Sequence, residues 1–514
     1  MKQYSTSETV DVVVIGTGAG GAPVTERLAR AGLSVVALEA GKWRDPAHEF
    51  AADEVAAADL YWLGDRLSAG ETPTAFGGNN SGTGVGGSTL HWGAFVPRAY
   101  PRDLRLATES GLAPEIDWPL TYADLLPYYE ETERFIGVSG PAHYPWDPTR
   151  RYPLGPVPLN APAQAMQRGF EALGLTTAEA PVATASRPYQ QPGYPERRAC
   201  VGCGYCHQGC VFGAKSSMDV TFIPSAVAAG AEIRPGCFVH TLERDASGLI
   251  TAVVYSSGGE NVRQPCRALY LCGGAVETPR LLLHNSLANG SGQLGRNFMA
   301  HVSTQVWGTF DELMRGHRGF PASLISESDA TMRPENADFA GGYLVQSLGV
   351  VPVTFAQQVA RGRGLWGQPL VDYLTRYNYV AGLGISGDCL PYDHNFLELA
   401  EETDEFGVPR ARIHFSYGEN EWALSRHSAH LMTAAWEAAG ASDIWTFERS
   451  AHVIGTARMG NDPDTSVVDP WGRSHEIPNL WICDNSIFPS ALAANPALTI
   501  MALALRSVEK FLIS

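Results

Sequence analysis

Residues 10–39 read VDVVVIGTGAGGAPVTERLARAGLSVVALE. An apolar, β-prone run over 10–15 meets Gly16-Thr17-Gly18-Ala19-Gly20-Gly21, a helical stretch follows from Ala22 to Ala31, and a second β run from Ser34 to Leu38 ends in Glu39. Strand, G-x-G-x-x-G turn, helix and a second strand closed by an acid are the parts of a dinucleotide-binding βαβ unit. Gly16 permits the tight turn, Gly18 lets the backbone approach a pyrophosphate, and Gly21 lets the helix lie close to the strand. The helix N-terminus offers free N–H groups to phosphates. Glu39 is placed to accept hydrogen bonds from ribose hydroxyls. The motif alone does not separate FAD from NAD. It does set the fold class as α/β.

The rest of the chain bounds what surrounds that unit. At 514 residues it exceeds a single core, and two or three lobes are expected. A net charge of −17 argues against nucleic acid or an anionic membrane as a partner. No run of eighteen apolar residues occurs, so no membrane span is expected. The opening MKQYSTSETV lacks an apolar signal core, which sets a cytoplasmic expectation.

Residues 200–210, CVGCGYCHQGC, hold four of the nine cysteines. Cys200, Cys203, Cys206 and Cys210 follow the C-x2-C-x2-C-x3-C spacing that bacterial ferredoxins wrap around an iron–sulfur cluster. Structural zinc usually draws on two well-separated C-x2-C pairs, and three cysteines in one row are cramped for it. Bound zinc and free thiols remain the alternatives. A ferredoxin's fourth cysteine serves a second cluster, and no second run exists here.

A second glycine loop spans 77–98, GGNNSGTGVGGSTLHWGAFVPR, and can turn backbone N–H groups toward a planar or anionic ligand. Further segments stand apart: GGAVETPRLLL over 273–283, GRNFMAH over 295–301, HVIGTARMG over 452–460, and LWICDNSIFPSALAANPALT over 480–499. Together, in this order, these resemble the glucose–methanol–choline (GMC) flavin oxidoreductases, closest to bacterial sugar and polyol dehydrogenases and pyranose oxidases. The resemblance covers about residues 10–510 and is weakest between about 305 and 445.

It implies a discontinuous Rossmann-like FAD-binding domain over 1–119, 200–305 and 445–514, and an antiparallel-sheet substrate domain over 120–199 and 306–444. It implies FAD held by Gly16, Gly18, Gly21, Glu39, Gly87, Ser88, His91, Val239, Asp484 and Thr499. His91 matches the residue that pyranose oxidases bond covalently to the flavin. His452 matches the family's base and Asn495 its partner, which would orient the substrate hydroxyl. Asn495-Pro496 also reads as a helix start with Asn as N-cap. Some sugar dehydrogenases of the family hold a three-iron cluster at the cysteine segment; Cys200, Cys206 and Cys210 match that pattern, and Cys203 is extra, allowing four irons.

The implied activity is FAD-dependent oxidation of a sugar, glycoside or polyol hydroxyl. Electrons would pass to a quinone, a cytochrome or oxygen. The alternatives are a long-chain or cyclic alcohol oxidase using oxygen, and a flavin-retaining hydroxynitrile lyase. A partner small or cytochrome subunit is also implied, with periplasmic export on that partner's signal as the alternative location.

Overall fold

The computed structural model describes residues 2–62, 66–70, 81–111, 116–327, 332–334 and 337–514. The run over 10–15 is a strand, Val10–Ile15, at the centre of a seven-stranded sheet. Val12–Ile15 pair in parallel with Val35–Leu38 on one side, and the same residues pair with Ala268–Leu271 on the other. Glu232–Arg234 extends the parallel part beyond Val35–Leu38, and Leu480–Ile482 pairs with the end of Glu260–Leu271. The near end of that long strand turns into an antiparallel meander with Ile250–Ser257 and Phe238–Arg244. A parallel strand is covered on both faces, which is why VDVVVI runs apolar without alternation. Helix Gly21–Arg30 covers one face and packs on helices Phe222–Ala228 and Ala497–Ile513.

A second sheet of eight strands is wholly antiparallel. Its central strand, Val380–Gly387, is buried at every residue. Helices Ala161–Ala172 and Glu419–Ala438 pack on this sheet, and their apolar faces form a second core with it.

The expected division needs two corrections. The hairpin Phe396–Thr403 and Pro409–His414 pairs with Leu67–Ala69 and packs on helix Gly274–His284. Its Leu397, Ala411 and Ile413 join the first core, so 306–444 is not wholly a substrate lobe. Helix Tyr122–Ile136 packs on Ala497–Ile513, which divides 120–199 in the same way. These segments carry apolar faces for both cores, and linear sequence does not say which core each face meets.

Two short strands of this antiparallel sheet reach into the first core. Met299–Val302 pairs with Ser450–Ile454 and joins the rest of the sheet through Val302 opposite Gly387. That pair carries His301 and His452.

Candidate active site

Ala451 faces His301 and Val453 faces Ala300, so His452 is the extra residue of a β-bulge. Its φ of 52° lies in the left-handed region, a conformation that costs a non-glycine residue about 1–3 kcal/mol. A bulge re-aims one side chain out of the alternating pattern of its strand. Here it lets His452 leave the ladder and reach Asn495, whose Nδ2 lies 3.3 Å from His452 Nε2. The other ring nitrogen, Nδ1, lies 3.0 Å from His301 Nδ1. The two residues singled out for chemistry, His452 and Asn495, are therefore in contact across 43 positions of sequence.

Asn495 does not cap a helix. The C-terminal helix begins at Ala497 behind Pro496 and receives no side-chain cap, because the Asn495 amide is spent on His452 and its buried Oδ1 has no partner. Burial drives the His452 pKa well below its ordinary value, with His301 and the Arg449 guanidinium adding to the effect. His452 and Arg449 nevertheless keep part of their surface accessible. Among the described residues no carboxylate pairs with Arg449.

The glycine loops form a second feature beside this pair. Gly16 has φ 92°, and a side chain on it would run into the Cys272 carbonyl. A side chain on Gly21 would run into the Gly16 carbonyl and Val14, which is the close helix–strand approach the motif requires. A Cβ on Gly87 would sit 2.7 Å from Gly18 Cα, so the two glycine loops touch. Residues 77–80 of the second loop lie outside the described residues. Ser88 is exposed, and its hydroxyl accepts from Gly82 N at 2.9 Å.

Glu39 ties these loops together. One carboxylate oxygen accepts from Thr17 N at 3.1 Å and Thr17 Oγ1 at 2.7 Å, the other from Gly41 N at 3.1 Å and Gly84 N at 3.2 Å. Those four donors fill its acceptor sites, so a ribose hydroxyl has to share or displace one of them. Val239 is the second residue of the edge strand Phe238–Arg244, two residues after Cys237, whose N–H bonds Glu39 O, so it stands beside the same loop. Asp484 is also held by protein donors, Gly274 N, Thr278 Oγ1 and Ser486 N, all within 2.8 Å. The Thr499 hydroxyl points to Tyr129 OH at 2.9 Å, inside the packing of two helices.

The residues fit a bound dinucleotide on three counts. Helix Gly21–Arg30 has no side-chain cap, Gly18 has open space on its Cβ side apart from Gly87, and His91 carries a buried Nε2 with no partner. The His91 ring centroid lies 4.4 Å from that of Tyr61 in a tilted contact, and burial lowers its pKa to about 3, leaving a neutral nitrogen.

Cys200, Cys203, Cys206 and Cys210 all line one cavity, closed on the far side by Gly319 and Phe320. Positive φ at Gly202, Gly204 and Gly209 bends the loop around it. Backbone N–H groups of Gly202 and Lys215 approach Cys200 Sγ and Cys210 Sγ at 3.5 Å each. Among the described residues no three His, Cys, Asp or Glu side chains are grouped to hold a metal ion, so the expected ligand set is not seen as a formed metal site. Lys215, buried, spans this loop and the flavin loop: Nζ donates to Cys206 O at 2.6 Å, Leu90 O at 2.8 Å and Trp92 O at 3.4 Å.

Three residues of the candidate site do not stand out in the sequence: His301, Lys215 and Arg449. His301 closes the GRNFMAH segment and Lys215 follows the cysteine run, so both lie in stretches already singled out. Neither stretch announces the partner, which comes from far along the chain.

Family models described as GMC oxidoreductase match residues 80–303 and 391–504. The chain is 29% identical to 2-methyl-1,2-propanediol dehydrogenase of Mycolicibacterium austroafricanum, over 98% of this chain and 95% of that one. It is 28% identical to the fructose dehydrogenase large subunit of Gluconobacter japonicus, over 98% of each. Formate oxidase of Aspergillus oryzae has the same fold, with a TM-score of 0.69 at 14% identity over 98% of each chain.

Proposed function

The chain belongs to the GMC oxidoreductase family, and from that premise we propose an FAD-dependent dehydrogenase that oxidises a sugar or polyol hydroxyl to the carbonyl. The observation that carries this reading is the His452–Asn495 contact at 3.3 Å, beside a neutral, enclosed imidazole. The sugar or polyol class is supported by the relatives named for fructose and for a propanediol.

Bound FAD supplies the hydride acceptor. Gly16, Gly18, Gly21 and the uncapped helix behind them hold its phosphates, and the Glu39 tie keeps the two glycine loops at a fixed spacing. His452 Nε2 takes the substrate's hydroxyl proton, and the Asn495 amide orients that oxygen and shares its developing negative charge. Arg449 raises the positive potential where the alkoxide forms. The same charge disfavours an imidazolium at His452, so the base is neutral before reaction and releases its proton readily after it. His91 Nε2, neutral and unpartnered, suits a covalent tether to the flavin. Acid-precipitated protein then keeps its yellow colour in the pellet; a yellow supernatant removes the tether.

Anaerobic mixing with a panel of sugars, polyols and long-chain alcohols tests the activity. The expected result is bleaching of the flavin by a sugar or polyol and recovery on adding a quinone, a cytochrome or oxygen. Absence of bleaching by any alcohol, with cleavage of a cyanohydrin, turns the reading to a lyase. Glu39→Gln replaces an acceptor with a donor facing N–H groups. It should weaken FAD retention about tenfold to a hundredfold, read by titrating flavin into stripped protein.

The four cysteines suit an iron–sulfur cluster, supported by their common cavity and the N–H groups aimed at two sulfurs. Electrons then leave one at a time to an external acceptor, and the relative named as a large subunit supports a partner subunit. Anaerobically prepared protein should contain stoichiometric iron and acid-labile sulfide, lost in Cys206→Ser. Iron-free wild-type protein with four titratable thiols removes the cluster.

A further inference from the structure

A second histidine decides which nitrogen of His452 is the base. His301 has no exposed surface, and its Nε2 lies 3.0 Å from Ala491 O and 2.8 Å from Leu492 O. Carbonyl oxygens only accept, so the hydrogen of His301 sits on Nε2. Burial lowers the His301 pKa to about 4, so at neutral pH the ring carries that one proton and Nδ1 is a bare lone pair. His452 Nδ1 stands 3.0 Å away, and two ring nitrogens bond only when one of them bears hydrogen. His452 therefore donates from Nδ1. Being neutral as well, it is left with a bare Nε2, the atom facing Asn495 Nδ2 at 3.3 Å. The Ser386 hydroxyl, 3.5 Å from His301 Nδ1, is the weaker and longer contact to the same lone pair, and it too can only donate to it.

We propose that His301 is a positioning residue that fixes the reactive tautomer of His452, taking its own polarity from the carbonyls of Ala491 and Leu492. The chain of donors runs one way, from the Asn495 amide to His452, from His452 to His301, and from His301 to the backbone. It has a chemical consequence. A proton taken up at His452 Nε2 has no exit through His301, because the far end of the relay is two carbonyls that do not accept a proton. It leaves by the face on which it arrived, after the product has moved. Leu492 holds a φ of 67°, so the backbone that presents these carbonyls is itself a constrained turn.

The inference rests on His452 being the base, and the test separates the two. In the FAD-loaded protein labelled with 15N-histidine, the spectrum should show His452 protonated at Nδ1 and bare at Nε2, and His301 the reverse. The opposite assignment for His452 overturns the proposal whatever the variants do. His301→Gln keeps an acceptor for His452 Nδ1, whereas His301→Leu does not. His301→Leu should slow flavin reduction about a hundredfold with little change in KM. His301→Gln should recover at least about a tenfold share of that loss. Equal loss in both variants overturns the role. A His452→Ala protein that still reduces its flavin normally defeats the base reading instead, and leaves the spectrum as it was.

Discussion

His452→Ala lowers the rate constant for flavin reduction by substrate by about 10³-fold while FAD stays bound. A positioned base contributes about 10²–10⁴ in proton transfer. FAD retention is expected because the residues that cradle the dinucleotide are the glycine loops and Glu39, and none of their hydrogen bonds runs through His452. The pH profile gives the second half of the result. The neutral form is the active form, and burial together with His301 and Arg449 holds the pKa well below 6.5. The acid limb of flavin reduction should therefore fall below pH 6.5, not at it, and full rate should persist through pH 6.5. A limb centred at or above 6.5, or a His452→Ala protein within about threefold of normal, refutes the assignment. Asn495→Ala should lose less, about tenfold to a hundredfold, because it removes one donor to the alkoxide and leaves the base in place.

How far the sequence carried this site depends on how local each feature is. The βαβ unit was legible because strand, turn, helix and acid lie within thirty residues, and each glycine answers a contact inside that span, such as Gly21 against Gly16 and Val14. The cysteine run was legible as a concentration of one residue type. Its cavity was not, because Gly319 and Phe320 close it from more than a hundred residues away. His301 and His452 are 151 positions apart, and a histidine in an apolar strand reads as core until its partner is seen. The bulge at His452 leaves no mark, since HVIG reads as an ordinary strand. Asn495 shows the opposite error: Asn-Pro ahead of an apolar helix is a sound capping signal locally, and a tertiary contact took the side chain away. Glu39 stands out in the sequence, but its four donors come from the protein, three of them from the two glycine loops, which the ribose reading does not require.

Lys215→Met should destabilise the protein by about 3–5 kcal/mol and release both the flavin loop and the cysteine loop. The ammonium has three hydrogens and meets three carbonyls, of Leu90, Trp92 and Cys206, with no carboxylate bonded to it. Removing it leaves three carbonyls facing an apolar side chain, each unsatisfied group costing about 1–3 kcal/mol less what the loop regains by relaxing into solvent. Met matches the length and fills the space, so the loss reports the donors and not a cavity. Burial pulls the Lys215 pKa down. The lysine thus fixes the backbone at Cys206 on one side and on either side of His91 on the other. One strut spans both loops, so the variant should lose FAD together with the iron of the proposed cluster on gel filtration, along with a lower urea midpoint. Loss of iron alone, with flavin and midpoint unchanged, would show that the two loops are held independently. An unchanged midpoint with both groups retained would show that the three carbonyl contacts contribute nothing.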